Sequence, residues 1–309
     1  MNILFYCTFS NQSKWLKFLK KKFYGHKIVT VKDDFDLEKI DVAVVWNLPN
    51  TILKKLSNIK VIFSLGAGVD HILKLSNYKK TPIIRIKDPN MRERMFNHTL
   101  SQILNYQLKL IFYQRAHQQK LWLDERDTLL NNDLTIGVLG LGYIGEYVAK
   151  GLSKLNYKVI GYKKSVPRSK VSFEVLTGKK LKHFICQSDI IVSILPSTKE
   201  TLDFIDVDFL KKMKKNSLLI NIGRGASLSE EALLNHLKLN KNFYASLDVF
   251  KKEPIKKNHK FWNHPNITIT PHIAALTDID SSVNYMYMRF LEFRKKNNFT
   301  GDVDFKKGY

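Results

Sequence analysis

Three glycines directly behind an apolar run constrain the fold of this chain more than any other feature. The run is Leu134–Leu139, and Gly140, Gly142 and Gly145 follow it with G-x-G-x-x-G spacing. The first glycine permits a tight turn, the second lets a phosphate approach the backbone, and the third allows close helix–strand packing. With the strand-like Lys158–Tyr162 behind it, the motif predicts a βαβ unit that binds a dinucleotide. A glycine turn that packs without a ligand is the alternative.

Short apolar runs alternate with helical patterns through most of the chain. The alternation predicts an α/β fold with doubly wound parallel sheets in two units, and a cleft between the units. One long helix is predicted over Arg92–Trp122, with Pro89 as a breaker just upstream, and a last helix over Asp278–Asn297. Strands of the first unit are predicted at Asn2–Cys7, Lys27–Val31, Val42–Trp46, Lys60–Ser64 and Thr81–Ile86.

Length and composition are those of a globular protein with room for two cores. The chain has 309 residues, of which 44% are hydrophobic and 26% are charged. No apolar run approaches the ~20 residues that span a bilayer, and the segment after Met1 is typical of a strand rather than a signal peptide. The two cysteines, Cys7 and Cys186, stand far apart. We therefore predict neither a disulfide framework nor a metal site, and expect a reducing cytoplasm.

The formal net charge of +23 favours anionic partners over cationic ones. The lysines are spread along the chain, and none of their clusters alternates with stacking aromatics as in an RNA-binding module. Solvated faces and a general compositional bias toward lysine are the simplest interpretation, with attraction of anions as a side effect. Nucleic-acid binding and membrane insertion are not predicted.

Four ionisable side chains follow three successive apolar runs in the second half of the chain. They are Arg224, Asp248 with Glu253, and His272, and the preceding runs are Leu218–Asn221, Tyr244–Leu247 and Ile267–Thr270. Ligands of parallel sheets bind beyond the carboxyl ends of the strands, so these side chains are expected at one edge. Each has a structural alternative, since a histidine can be structural, an arginine can lie on the surface and a Glu-Pro pair can form a turn.

Together these groups suit hydride transfer to a small acidic carbonyl compound. Arg224 can bind a carboxylate or polarise a carbonyl oxygen, because its guanidinium offers paired donors. His272 can supply a proton near neutral pH. Glu253, if it contacts that imidazole, would raise its pKa and orient its ring. Asp248 could accept a hydrogen bond from a nicotinamide carboxamide.

The end of the strand at Lys158–Tyr162 bears on the cofactor. An NAD site normally has an acid there that accepts from the ribose hydroxyls. This chain has Lys163, Lys164 and Ser165, followed by Arg168, which suit the 2′-phosphate of NADP(H). We therefore predict that NADP(H) is preferred and that NAD(H) is possible, although a chance pair of lysines is plausible in so basic a chain.

A second glycine-rich turn, Leu65-Gly-Ala-Gly-Val69, follows a strand of the first unit. The N–H groups of Ala67 and Gly68 could bind a substrate carboxylate, or the segment could be an ordinary strand-to-helix turn. Trp46 ends a neighbouring strand and is predicted either to line the substrate site or to belong to the core.

In order and spacing, these motifs resemble those of D-isomer-specific 2-hydroxyacid dehydrogenases along nearly the whole chain. The resemblance is strongest to the bacterial glyoxylate/hydroxypyruvate reductase branch. The matching segments are Leu-Gly-Ala-Gly-Val-Asp70, Gly-Leu-Gly142-Tyr-Ile-Gly145, Ile-Leu-Pro196-Ser-Thr, Asn221-Ile-Gly-Arg224-Gly, Asp248-Val-Phe-Lys-Lys-Glu253-Pro, Thr-Pro-His272-Ile-Ala-Ala and Gly301-Asp-Val-Asp.

The resemblance implies two Rossmann-like domains and a homodimer formed through the cofactor domains. The substrate-binding domain is expected at residues 1–96 plus 277–309, and the dinucleotide-binding domain at 97–276. Arg224, Glu253 and His272 are implied to be catalytic, and Trp46, Ala67 and Gly68 to bind substrate. The implied cofactor-binding residues are Gly140, Gly142, Tyr143, Ile144, Gly145, Lys163, Lys164, Ser165, Arg168, Leu195, Pro196, Ile222, Asp248 and Ala274.

The activity that the resemblance implies is NADPH-dependent reduction of small 2-oxo acids such as glyoxylate and hydroxypyruvate. Lys164, where that branch has an arginine, weakens the phosphate clamp because an ammonium cannot bind in a bidentate manner. Two alternatives stay open: a protein that senses NAD(P)(H), like the corepressor relatives, or a dehydrogenase of D-lactate or D-phosphoglycerate type.

Overall fold

The computed structural model describes residues 1–123, 129–165, 171–296, 299–305 and 307–309. They form two compact units. The first combines both ends of the chain, Met1–Met91 with Thr277–Tyr309, and the second is Arg92–Leu276. Within the described part of the chain, no helix is both long and apolar enough to cross a membrane.

The first unit contains a parallel sheet of five strands in the order β2-β1-β3-β4-β5. Its central strands are buried on both faces, which is why they appear in the sequence as unbroken apolar runs. The strands are β1 Asn2–Tyr6, β2 Lys27–Val29, β3 Val42–Val45, β4 Val61–Ser64 and β5 Ile83–Arg85. The helices are α1 Gln12–Lys22, α2 Asn50–Leu53, α3 Asp70–Leu73 and, from the carboxyl end of the chain, α10 Ile279–Lys296.

The second unit contains a parallel sheet of seven strands in the order β12-β11-β10-β9-β6-β7-β8. The strands are β6 Thr135–Leu139, β7 Lys158–Tyr162, β8 Glu174–Leu176, β9 Ile190–Ser193, β10 Ser217–Asn221, β11 Phe243–Leu247 and β12 Ile267–Ile269. Its helices are α5 Leu110–Gln118, α6 Tyr143–Lys154, α7 Leu181–Gln187, α8 Val207–Lys212 and α9 Glu230–Leu239. The predicted pair of doubly wound parallel sheets is confirmed.

The strand order places a ligand-binding position in this sheet. Strand order reverses between β6 and β9, which are direct neighbours. At such a switch point the connections leave on opposite faces, so a crevice opens at the carboxyl ends of the two strands. The G-x-G-x-x-G turn follows β6 and Leu195-Pro196 comes shortly after β9, so both lie at this position.

The prediction of one helix over Arg92–Trp122 is wrong. The structure has α4 Pro89–Gln107 and then α5, separated by Lys109, whose φ is +54°. That left-handed residue redirects the chain, a break that the spacing of apolar residues does not register. Pro89 is the first residue of α4 rather than a breaker upstream of it, because a proline needs no N–H partner at that position. The Asp88 carboxylate caps the helix by accepting from the N–H of Asn90 at 3.0 Å.

Candidate active site

Three adjacent strands of the second unit carry the predicted chemical groups at their carboxyl ends. Arg224 follows β10, Asp248 and Glu253 follow β11, and His272 follows β12. Because the strand order is β12-β11-β10, the three loops leave neighbouring positions of one edge.

His272 and Glu253 form a direct pair. Nδ1 of the imidazole lies 2.7 Å from Oε2 of the carboxylate. An ionised carboxylate can only accept, so the hydrogen-bond partner assigns the proton to Nδ1 and leaves Nε2 for another partner. Oε1 of Glu253 accepts from the N–H of Phe250 at 2.9 Å, which fixes the other end of the carboxylate.

The environment of Glu253 favours its ionised form. Burial by itself would raise the pKa of this carboxyl. The hydrogen bond with His272, the hydrogen bond from Phe250 N–H and the positive charges of His272 and Arg224 outweigh burial, so the pKa of Glu253 lies below its usual range. The charge of Arg224 therefore acts on the same carboxylate that orients His272.

Asp248 holds the loop that carries His272. Its side chain is buried, and Oδ1 accepts from Thr270 Oγ1 at 2.6 Å and from the N–H of Ile273 at 2.9 Å. Oδ2 accepts from the N–H of Ala274 at 3.0 Å, and the Asp248 carbonyl accepts from the N–H of His272 at 2.9 Å. These four hydrogen bonds hold the loop in place. The contact of Asp248 with a nicotinamide carboxamide stays a prediction.

Arg224 is half-buried, and the turn behind it is tightly packed. Its Nη1 donates to the carbonyl of Gly223 at 2.9 Å, and its own carbonyl accepts from Ser227 Oγ at 2.7 Å. A Cβ on Gly225 would lie 1.9 Å from the carbonyl carbon of Phe250, so only glycine fits there. The arginine turn thus rests on the segment whose N–H holds Glu253.

The glycine turn after β6 has the geometry of a dinucleotide site. Gly140 has φ +102°, which favours glycine. A Cβ on Gly145 would lie 2.0 Å from the Gly140 carbonyl oxygen, so this glycine brings α6 against its strand. A Cβ on Gly142 would meet nothing within 4 Å, which leaves room for a ligand at the start of α6. These residues fit the pyrophosphate of a nicotinamide dinucleotide.

The remaining predicted cofactor residues of the described chain lie around this turn and the adjoining strand ends. Tyr143 is exposed, Ile144, Leu195 and Pro196 are half-buried, and Ile222 and Ala274 are buried. Gly223 passes close to the segment after β9, because a Cβ there would lie 2.6 Å from the backbone nitrogen of Leu195.

The basic segment after β7 is engaged by an acid. Lys164 Nζ lies 2.6 Å from Oε1 of Glu200, and both side chains are exposed. Lys163 is half-buried and Ser165 exposed, whereas Arg168 lies outside the described residues. Glu200 stands in the segment after β9, so its pairing with Lys164 was not apparent from the sequence.

The glycine turn of the first unit presents backbone donors. In the described part of the chain, the N–H groups of Ala67 and Gly68 donate to no protein acceptor. Trp46 is half-buried and stacks on Phe9 with ring centroids 5.5 Å apart. A Cβ on Gly66 would lie 2.6 Å from the indole, so the turn and the tryptophan ring are in close contact.

Sequence reasoning did not find the groups that support the predicted residues. Thr270 and the Phe250 N–H hold Asp248 and Glu253 through hydrogen bonds that form only in the fold. The only sign of this in the sequence is the hydroxyl residue Thr270, two positions before His272. Among the residues described, no cluster of three or more His, Cys, Asp or Glu side chains could hold a metal ion.

Residues 100–274 match the family model described as D-isomer specific 2-hydroxyacid dehydrogenase, NAD binding domain. The chain is 32% identical to glyoxylate/hydroxypyruvate reductase A of Serratia proteamaculans, with all of both chains covered. It also resembles the crystal structure of an NADPH-dependent glyoxylate/hydroxypyruvate reductase from Sinorhizobium meliloti in complex with NADP and sulfate. That match has a TM-score of 0.93 and 29% identity, and covers 100% of this chain and 99% of that one.

A D-isomer specific 2-hydroxyacid dehydrogenase from Xanthobacter autotrophicus Py2, in complex with NADPH and MES, is a second close structural match. Its TM-score is 0.92 at 25% identity, with 100% of this chain and 99% of that chain covered.

Proposed function

The chain belongs to the D-isomer-specific 2-hydroxyacid dehydrogenase family, and from this premise we propose that it reduces glyoxylate and hydroxypyruvate with NADPH. Membership makes it a nicotinamide-dependent oxidoreductase. The observation that carries the finer proposal is the pair of His272 Nδ1 and Glu253 Oε2, 2.7 Å apart, on the sheet edge that also carries Arg224.

In the proposed reaction a 2-oxo acid becomes a 2-hydroxy acid by gaining a hydride and a proton. The reduced nicotinamide, when bound, supplies the hydride to the carbonyl carbon. His272 donates its Nε2 proton to the carbonyl oxygen, and Glu253 stabilises the imidazolium before that step and orients the ring. Arg224 binds the acid and polarises the carbonyl, and the N–H groups of Ala67 and Gly68 are proposed to bind the substrate carboxylate.

The first test is oxidation of NADPH and of NADH, run in parallel with glyoxylate or hydroxypyruvate. We expect loss of the reduced-nicotinamide absorbance, faster with NADPH. Faster oxidation of NADH would keep the reductase and contradict the cofactor preference. If the cofactor bound but neither form were oxidised by any 2-oxo acid, the sensing alternative would replace the reductase.

Replacing His272 by asparagine tests the proton donor. The amide can still reach Glu253 but has no titratable proton, so turnover should fall about 10²- to 10⁴-fold while NADPH affinity is retained. His259→Asn is the matched control, because His259 also faces a carboxylate, Glu230, at 3.4 Å in the same unit. Turnover of His272→Asn at the level of the control would exclude the assignment.

The preference for NADPH is proposed to depend on Lys163, Lys164, Ser165 and Arg168, without an acid among them. The structural relatives with bound NADP or NADPH support this. The binding of the dinucleotide itself is proposed for Gly140, Gly142, Tyr143, Ile144 and Gly145, with Leu195, Pro196, Ile222 and Ala274 lining the site.

Lys164 and its partner Glu200 make a matched pair of variants. Lys164→Gln should lower the ratio of kcat/KM for NADPH to that for NADH, and Glu200→Gln should raise it because the lysine loses a competing carboxylate. The pair is exposed, so each change should be about 2- to 5-fold. Steady-state kinetics with both cofactors measures the ratio, and an unchanged ratio in both variants would remove Lys164 from the phosphate site.

A further inference from the structure

A chain of hydrogen bonds lies directly beneath the glycine turn of the first unit. The N–H of Asn47 donates to Nδ1 of His71 at 3.1 Å. Nε2 of His71 lies 3.2 Å from Oγ of Ser64, and that hydroxyl donates to the carbonyl of Gly68 at 2.8 Å. The chain therefore joins the end of β3, the end of β4 and the start of α3.

Donor and acceptor chemistry gives every proton in this chain a defined place. Ser64 has one hydroxyl proton, and the Gly68 carbonyl can only accept, so the proton goes there. Oγ of Ser64 must then accept from His71, which puts the imidazole proton on Nε2. Nδ1 keeps its lone pair for the N–H of Asn47. The N–H of Gly66 approaches the same Oγ at 3.4 Å, so the buried hydroxyl serves both ends of the turn.

The same imidazole contacts the ring that packs on the turn. The centroids of His71 and Trp46 are 4.3 Å apart, and the indole lies so close to Gly66 that a Cβ there would clash with it. Asn47 has φ +53°, a conformation that only a few residue types adopt readily. Asparagine is one of these types, and the His71 bond to its N–H fixes this left-handed residue directly after Trp46.

We propose that His71 is the positioning residue of the substrate-carboxylate site. Through Ser64 it holds the Gly68 carbonyl and the Gly66 N–H, at the two ends of the turn. Through the Asn47 N–H it holds the residue after Trp46. By holding both ends it restricts the turn that presents the Ala67 and Gly68 N–H groups. This inference rests on the proposed function in one respect only, that these two N–H groups bind the carboxylate of the 2-oxo acid.

The kinetic test replaces His71 by phenylalanine, which keeps an aromatic ring beside Trp46 and removes both hydrogen bonds. KM for glyoxylate or hydroxypyruvate should rise about 10-fold. The value of kcat should stay within about 2-fold and KM for NADPH should not change, because carboxylate binding is lost equally from ground state and transition state. His71→Asn retains an acceptor near Nδ1, and His71→Gln retains a donor near Nε2. The substrate KM of each should therefore lie between the values of the wild type and of His71→Phe.

His26→Phe is the control, since His26 is a half-buried histidine of the same unit that packs on Phe290 with ring centroids 5.0 Å apart. It should leave KM unchanged. An unchanged substrate KM in His71→Phe would overturn the proposal. So would a general loss, in which kcat falls and KM for NADPH rises by as much as the substrate KM rises.

Hydrogen exchange of the unliganded protein gives a readout that does not need turnover. The amides of residues 65–69 should exchange faster in His71→Phe than in the wild type and at an intermediate rate in the Asn and Gln variants. Amides of β6 in the other unit should not change. Equal exchange in all variants would overturn the positioning role even if the enzyme were active, whereas an inactive wild type with faster exchange in the variant would count against the proposed function alone.

Discussion

His272 adopts a left-handed backbone conformation, with φ +55°. Such a conformation costs a residue with a side chain about 1–3 kcal/mol and persists only where the surroundings enforce it. Here Asp248 enforces it, since its carbonyl accepts from His272 N–H while its carboxylate holds the residues before and after. This conformation directs Nδ1 of the imidazole to Glu253, and in the proposed reaction Nε2 faces the substrate.

Acid pH should weaken the fold through Glu253. Folding lowers the pKa of this carboxyl, so its contribution to stability is complete above its ordinary value near 4.5 and is lost as the pH falls through the lower folded value. Near neutral pH, Glu253→Gln should be less stable than wild type by about 1 kcal/mol, because the carboxylate is partly exposed.

Melting curves across pH test this. The gap between wild type and Glu253→Gln should be widest near neutral pH and should close below about pH 4.5. Glu174→Gln, at an exposed position of β8, is the control for removing a carboxylate from this unit. A gap that is constant from neutral to acid pH would mean that the ionised form of Glu253 adds nothing to the fold.

Two glycines of the turn between β6 and α6 have different roles, one in packing and one in leaving space for a ligand. Gly145 is needed for packing, because α6 could not otherwise approach the Gly140 carbonyl. Gly142 has open space where a side chain would point and an extended backbone, with φ −94° and ψ −163°, that any residue can adopt.

Alanine at the two positions should therefore affect different properties, stability at Gly145 and cofactor binding at Gly142. Gly145→Ala should lower the free energy of unfolding by about 1–3 kcal/mol, because its Cβ overlaps backbone. Gly142→Ala should leave stability within about 0.5 kcal/mol and weaken NADPH binding, since its methyl group occupies the space proposed for the pyrophosphate.

Chemical denaturation and cofactor titration of both variants measure these effects. A stable Gly145→Ala protein would show that α6 can move away from the strand at little cost. A Gly142→Ala protein with wild-type affinity would place the pyrophosphate elsewhere.

The chain forms two helices where the sequence predicts one over Arg92–Trp122. Apolar residues continue with helical spacing on both sides of Lys109, yet that residue turns the chain into a second helix. When tertiary contacts offset the cost of a left-handed residue, the local sequence pattern does not show its position.

For the whole molecule, the two ends of the chain form one unit. α10 packs on α1, and Lys87 Nζ lies 2.8 Å from Oδ1 of Asp302, whose carboxylate near the carboxyl end of the chain is almost fully buried. Substrate binding by this unit stays a prediction, and so does the cytoplasmic location of the protein.

A homodimer through the cofactor domains is proposed on an observation of the second unit. Among the described residues between α5 and β6, several large apolar side chains are exposed, including Trp122 at 97% and Leu130 at 66%. Apolar exposure on this scale is typical of an interface.

We expect light scattering to give twice the monomer mass for the wild type. Trp122→Ser should raise the dimer dissociation constant about tenfold or more, because exposed tryptophans at interfaces are frequent hot spots. Tyr24→Ser is the control, since Tyr24 is 89% exposed in the first unit. A wild type that is monomeric at micromolar concentration, or an unaffected Trp122→Ser dimer, would contradict this interface.

The class of fold and the family follow from the amino-acid sequence alone. Strands buried on both faces must be apolar throughout, and a turn against a pyrophosphate-binding helix needs glycine, so both leave marks that survive in one chain. Arg224, Glu253 and His272 were also candidates from the sequence, because each lies in the loop after a strand run.

The hydrogen bonds that hold these residues become visible only in the folded chain. The bonds from Asp248 to the His272 loop, from Phe250 to Glu253, from Glu200 to Lys164 and from His71 to Ser64 join positions brought together by sheet order or loop shape. Such a bond requires only a polar side chain with a donor or acceptor opposite it, so it leaves no recognisable pattern in the sequence. The left-handed backbone conformations of Lys109 and His272 were equally hidden, because they are stabilised mainly by their surroundings.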